Sequence, residues 1–187
     1  MLIVLVSDAP VMAHATGETG GFVTGFRHPI SGWDHVLAMV AVGLWGAQLG
    51  RPLIWALPVA FPMMMALGGF FGLIGFPLPG VEIGIAASAI VLGVMVLGAF
   101  RPPTWVAVML VGAFAVFHGH AHGTELPAGQ NGAIYSAGFV IATGLLHGVG
   151  IGIGELRHVP VGVPLVRAGG AMVALGGCWF LWGAVGG

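Results

Sequence analysis

Apolar residues run along this chain in long blocks with few polar interruptions, instead of alternating with polar ones at a strand or surface-helix period. Six blocks, at about 33–50, 53–75, 82–100, 104–122, 133–154 and 167–186, approach the roughly 20 residues a helix needs to cross the hydrocarbon core of a bilayer. Proline-rich punctuation separates them: Arg51-Pro52, Pro77-Leu78-Pro79, Arg101-Pro102-Pro103 and the stretch from Pro160 to Pro164. The links are short, so neighbouring spans should run antiparallel and pack in sequence. Pro58 and Pro62 fall four apart inside the second block, where a kink is expected and is tolerated if neighbours satisfy the freed carbonyls. The pattern therefore predicts an all-α membrane protein, a bundle of six transmembrane helices forming one domain over 14–187. A short signal-like leader is expected over 1–13.

Composition sharpens this reading. Of 187 residues, 58% are hydrophobic and only 6% charged, against roughly 25% charged in a soluble domain. The surface that such a chain presents must face lipid. All five basic residues are arginines (Arg27, Arg51, Arg101, Arg157 and Arg167). Without a basic patch, nucleic acid is excluded as a partner, and without a lysine there is no Walker A loop to drive an ATP motor. Cys178 has no second cysteine to pair with inside the chain. Alternating the loops puts Arg51, Arg101, Arg157 and Arg167 on one side of the membrane and Arg27 on the other. By the positive-inside rule the four mark the cytoplasmic side, so the start of the first span and the C-terminus lie outside. Small residues before His14 suit a signal-peptidase site. The leader lacks a basic n-region and Asp8 interrupts its apolar run, so either the true start lies upstream or the leader is atypical.

Against this scarcity of charge, eight histidines outnumber both the acids and the bases. Most gather in two places. The first is Arg27-His28-Pro29-Ile30-Ser31-Gly32-Trp33-Asp34-His35, followed by Met39; His35 and Met39 are one helical turn apart on one face, and Asp34 can accept from an imidazole or bind a cation itself. The second is Phe117-His118-Gly119-His120-Ala121-His122-Gly123-Thr124-Glu125, in which His118, His122 and Glu125 share a face while His120 points the other way. These come from different spans but reach the same outer membrane level. His147 stands deeper, about 21 Å below the outer end of the fifth span at 1.5 Å per residue. Glu82 opens the third span and Glu155 closes the fifth. His120 and His158 read as structural or loop residues, and Met63-Met64-Met65 as core packing. A carboxylate at the centre of a span costs about 2.5–3.5 kcal/mol on insertion scales, so two converging clusters of histidine and carboxylate point to a function. Imidazole with carboxylate suits nickel, cobalt, zinc or copper(II). Ligands at the mouth, a histidine deeper and a carboxylate at the inner end suggest a path.

Glycine has a packing reading. Gly144, Gly148 and Gly152 repeat every fourth residue along the fifth span, as do Gly119/Gly123 and Gly68/Gly72, and small residues at this interval let helices approach closely in lipid.

The pattern His28-Pro29-x-x-Gly32-x-Asp34-His35-x-x-x-Met39-x-x-Val42-Gly43, with Phe117-His118-Gly119-x-Ala121-His122-Gly123-x-Glu125 and the later His147-Gly148, resembles the HupE/UreJ family of membrane nickel transporters. The resemblance covers the chain from His14 onward. It implies a six-span bacterial inner-membrane permease, not an enzyme, that carries nickel(II), with cobalt(II) as the second candidate cargo, and supplies hydrogenase or urease maturation. In such a permease His28, Asp34, His35, His118, His122 and Glu125, with Met39 beside them, would form the outer metal-entry site and His147 a deeper waypoint. Family members commonly carry a cleaved leader; were His14 the mature terminus, its amine and imidazole could chelate a metal together. Two other readings compete: an intramembrane metalloenzyme resembling a zinc hydrolase, and a metal-sensing or assembly subunit that does not itself transport.

Overall fold

The computed structural model describes residues 19–126 and 131–186. The expected leader over 1–13 and His14 lie outside the described residues. The described chain is all-helical: α1 (Thr19–Ser31), α2 (Trp33–Leu49), α3 (Leu53–Leu73), α4 (Val81–Gly98), α5 (Thr104–Thr124), α6 (Gly132–Gly154), a single 3-10 turn (Glu155–His158) and α7 (Gly162–Gly186). α3 to α7 are each long and apolar enough to cross a membrane. By helix length and composition the chain is a multi-pass membrane protein. α2 coincides with the first expected span but has only 17 residues, at the short limit for a crossing helix. α3 runs unbroken through Pro58 and Pro62. α7 begins earlier than the apolar pattern suggested, because Pro164 sits in its first turn, where a missing N–H costs nothing.

α1 was not expected as an element. It runs through Pro29 and is followed by Gly32, which has an extended backbone (φ −95°, ψ 114°) and starts α2 afresh. The Ser31 hydroxyl donates to the carbonyls of Arg27 and His28, occupying acceptors at the end of the helix. α1 and α2 thus form one interrupted helix, both halves packing along α6. The break falls within the first histidine cluster.

The core contains Met39, Trp45, Leu57, Phe61, Leu92 and Val111, all fully buried. Large apolar side chains such as Trp55, Trp105, Met172, Trp179 and Trp182 point outward, the arrangement expected where the surrounding solvent is lipid. α2 is tied to the end of α4 by two side-chain donors: Trp45 Nε1 to the Phe100 carbonyl (3.0 Å) and Gln48 Nε2 to the Val96 carbonyl (3.0 Å).

Two of the three glycine repeats pack as expected. Gly68 and Gly72 on α3 face the backbone of α5 at Val116 and His120, and Gly119 and Gly123 on α5 face Met65 and Gly69 in return, so a side chain at any of the four would collide with main chain. The repeat on α6 does not. Gly144, Gly148 and Gly152 open onto free space, and it is Gly150 that meets Gly43 and Val40 of α2. Residues 148 and 150 lie on opposite sides of a helix, and the close approach uses the other side.

Candidate metal site

His28 comes from α1, His35 from the first turn of α2, and His118 and His122 from the last two turns of α5, with Glu125 as its C-terminal cap. α2 descends from the end of the bundle at which α5 arrives, so the antiparallel order of the helices brings the two clusters together. Two triads of ligand atoms result. His28, His122 and Glu125 form a half-exposed group and His35, His118 and His122 a buried one, and within each the three ligand atoms lie within 4.8 Å of one another.

In the half-exposed triad His28 Nε2 lies 3.1 Å from Glu125 Oε2 and 2.9 Å from His122 Nδ1. Glu125 Oε2 lies 3.7 Å from His122 Nδ1. Burial, and then the neighbouring His122, push the His28 pKa below its ordinary value, while Glu125 works in the opposite direction. His122 holds the Glu125 carboxyl below the usual carboxylate range against the effect of partial burial. Both shifts favour the forms that bind a cation: neutral imidazole and ionised carboxylate.

In the buried triad His35 Nδ1 lies 3.2 Å from His118 Nδ1 and 3.2 Å from His122 Nε2. The rear of His118 is held by Ser88 of α4, which is fully buried. Its hydroxyl donates to the Ile85 carbonyl at 2.6 Å and lies 2.9 Å from His118 Nε2. Having given its proton to Ile85, Ser88 accepts from His118 Nε2–H. That fixes the tautomer of His118 and leaves the Nδ1 lone pair aimed at the triad, as supporting partners do for metal-binding histidines. Phe139 of α6 walls the group from the side, its ring centroid 4.5 Å from that of His122 and 5.4 Å from that of His35.

A cavity of about 310 Å³ opens onto both triads. Asp34 and Glu82 stand in its wall alongside His28, His35, His118, His122 and Glu125. Asp34 belongs to neither triad; its Oδ1 accepts from the His35 backbone N–H at 2.8 Å, fixing the start of α2. Met39, one turn beyond His35, is buried in the apolar core. His147 is buried, and among the described residues both its ring nitrogens are unpartnered. It stacks edgewise on Phe61 (5.5 Å between centroids), and the same ring touches His118 at 5.7 Å. His147 is therefore one aromatic ring from the buried triad. It lies well down α6, as expected, but the first turns of α6 rise beside α1, above the cluster. His120 donates to or accepts from no ligand group; its Nε2 donates to the Phe76 carbonyl at 2.7 Å. His158 pairs with Glu155 at 3.3 Å at the opposite end.

Sequence reasoning missed Ser88, Phe61 and Phe139. Ser88 had a signal, being a hydroxyl within an otherwise apolar span. The two phenylalanines had none, because nothing in the sequence separates them from the other apolar residues of their helices.

Comparison with known proteins identifies the family of the chain. The family model described as HupE / UreJ protein matches residues 2–180. Protein HupE of Rhizobium leguminosarum bv. viciae is 46% identical over 171 residues, covering 91% of this chain and 90% of that protein. No solved structure matches the chain. The chain belongs to the HupE/UreJ family.

Proposed function

We propose that this HupE/UreJ family chain is a high-affinity membrane permease for nickel(II), with cobalt(II) as a second cargo. The observation that carries the reading is the pair of triads sharing His122, one half-exposed and one buried, in a multi-pass chain. A resident metal needs one closed site; a transported ion needs successive sites that admit it without holding it. Asp34 and Glu82 attract the hydrated cation into the cavity. His28, His122 and Glu125 take it from water, His35, His118 and His122 receive it, and His147 is the next waypoint, with Met39 lining the descent.

The orientation follows the arginines. Arg51, Arg101, Arg157 and Arg167 belong to the end opposite the triads, which makes that end cytoplasmic and the triads periplasmic. α2 serves as the sixth span, with α1 as its interrupted outer extension. The leader is removed near His14, whose amine and imidazole then add a further ligand pair. The membrane is the bacterial inner membrane, and the nickel delivered serves hydrogenase or urease maturation.

The three imidazoles of the buried triad would also suit a resident catalytic zinc with an open fourth position. The adjoining triad favours movement over residence. Cells expressing the chain should accumulate radioactive nickel at submicromolar supply, and His35→Ala should abolish the accumulation. Accumulation no greater than in cells lacking the chain would overturn the proposal. Tightly retained zinc with hydrolysis of a lipid or peptide would replace it with the enzyme reading.

A further inference from the structure

His122 is common to both triads, and it serves them with different atoms. Its Nδ1 faces His28 Nε2 at 2.9 Å and Glu125 Oε2 at 3.7 Å, whereas its Nε2 faces His35 Nδ1 at 3.2 Å. A neutral imidazole has one N–H and one lone pair. It can therefore complete one triad or the other. We propose that the two triads are occupied alternately and never together, with His122 handing a single ion from the half-exposed triad to the buried one as its proton changes nitrogen. This rests on the metal-transport reading above.

Each state leaves the His122 proton with a partner. With the ion on the half-exposed triad, Nδ1 coordinates and Nε2–H donates to His35 Nδ1. With the ion on the buried triad, Nε2 coordinates and Nδ1–H points toward His28 Nε2 and the Glu125 carboxylate. The proton leaves one nitrogen of the ring and arrives on the other through water in the adjoining cavity, so the handover neither gains nor loses a proton. His118 cannot alternate in the same way, because Ser88 holds its Nε2–H. Filling both triads at once would require a deprotonated imidazolate with a dication on each side. Among the five side chains of the two triads only Glu125 is anionic, too little charge to offset two dications so close together.

The test is the number of cobalt(II) ions bound per chain at saturation, measured by equilibrium dialysis on the full chain in detergent. Wild type is compared with His28→Ala, which breaks only the half-exposed triad, and His118→Ala, which breaks only the buried one; His35→Gln replaces the latter if it fails to fold. Alternating occupancy gives about one ion in all three proteins, because each intact triad can use the His122 lone pair. The visible spectrum should differ between the two variants, since one site has an oxygen ligand and the other only nitrogen. Two ions in wild type would overturn the sharing and leave the transport reading standing. Loss of binding in one variant would show that only one triad is a site, which also overturns the handover. No ion in any of the three would overturn the metal reading itself.

Discussion

The two triads are built from the same residue type, yet they differ in what surrounds them. In the outer one the Glu125 side chain is 54% exposed and His28 27% exposed, and the ligand set includes a carboxylate. In the inner one His35 and His118 are 3% and 1% exposed, the ligands are all nitrogen, and Phe139 and Ser88 fix their orientation. An ion can reach the first while still partly hydrated. It can enter the second only by exchanging water for imidazole, which borderline metals such as nickel and cobalt accept and oxygen-seeking magnesium and calcium do not. Under the proposed transport reading, the outer triad would collect cations and the inner triad would select among them.

The largest effect should follow from removing a ligand of the inner triad. His118→Ala is expected to eliminate nickel uptake, a greater loss than the roughly 10–100-fold that deleting a supporting partner causes. Retained uptake would mean that selection occurs elsewhere. Glu125→Gln should come next. It removes the carboxylate of the outer triad while leaving the inner one intact, so uptake should be lost at submicromolar nickel and recovered in part at high supply, a rise in KM with most of the maximal rate kept. An equal fall in maximal rate at all concentrations would contradict the collecting role.

Ser88→Ala should reduce metal affinity by about tenfold by releasing the His118 tautomer, and Ser88→Thr, which keeps the hydroxyl, should restore most of it. If the threonine variant is as weak as the alanine one, Ser88 acts through packing and not through its hydrogen bond. The smallest effect concerns pH. Burial holds the His28 pKa below the ordinary 6.5, and Glu125 is likewise shifted down. Both groups therefore keep their cation-binding forms to lower pH than free side chains would. Uptake should stay level as pH falls to 6.5 and decline only below it, and at nickel supply high enough to restore uptake Glu125→Gln, which removes the group that raises the His28 pKa, should move the decline to lower pH.

The convergence of the two clusters was legible in the sequence because it depends only on span count and direction: His35 opens one span, His118 and His122 close another, and an odd number of turns brings those ends together. The limits of five helices were legible for the same reason. What escaped was the orientation of individual groups. Helical spacing puts His118, His122 and Glu125 on one face, but it cannot say that the two nitrogens of His122 face different partners. α1 escaped because its stretch is short of a full apolar block and contains Pro29, although the helix runs through that proline and ends only before Gly32. On α6, glycines at 144, 148 and 152 and at 150 and 154 line opposite sides, and only the neighbouring helix decides which side is used.

The most direct test is nickel entry into liposomes reconstituted with the purified chain alone, followed by a trapped metal-sensitive dye, with zinc and cobalt in competition. Entry that saturates at submicromolar nickel, is competed by cobalt and is absent with His118→Ala is the predicted result. Liposomes that remain as impermeable to nickel as protein-free ones, while the same protein binds the metal, would contradict the account and identify the chain as a sensing or assembly subunit.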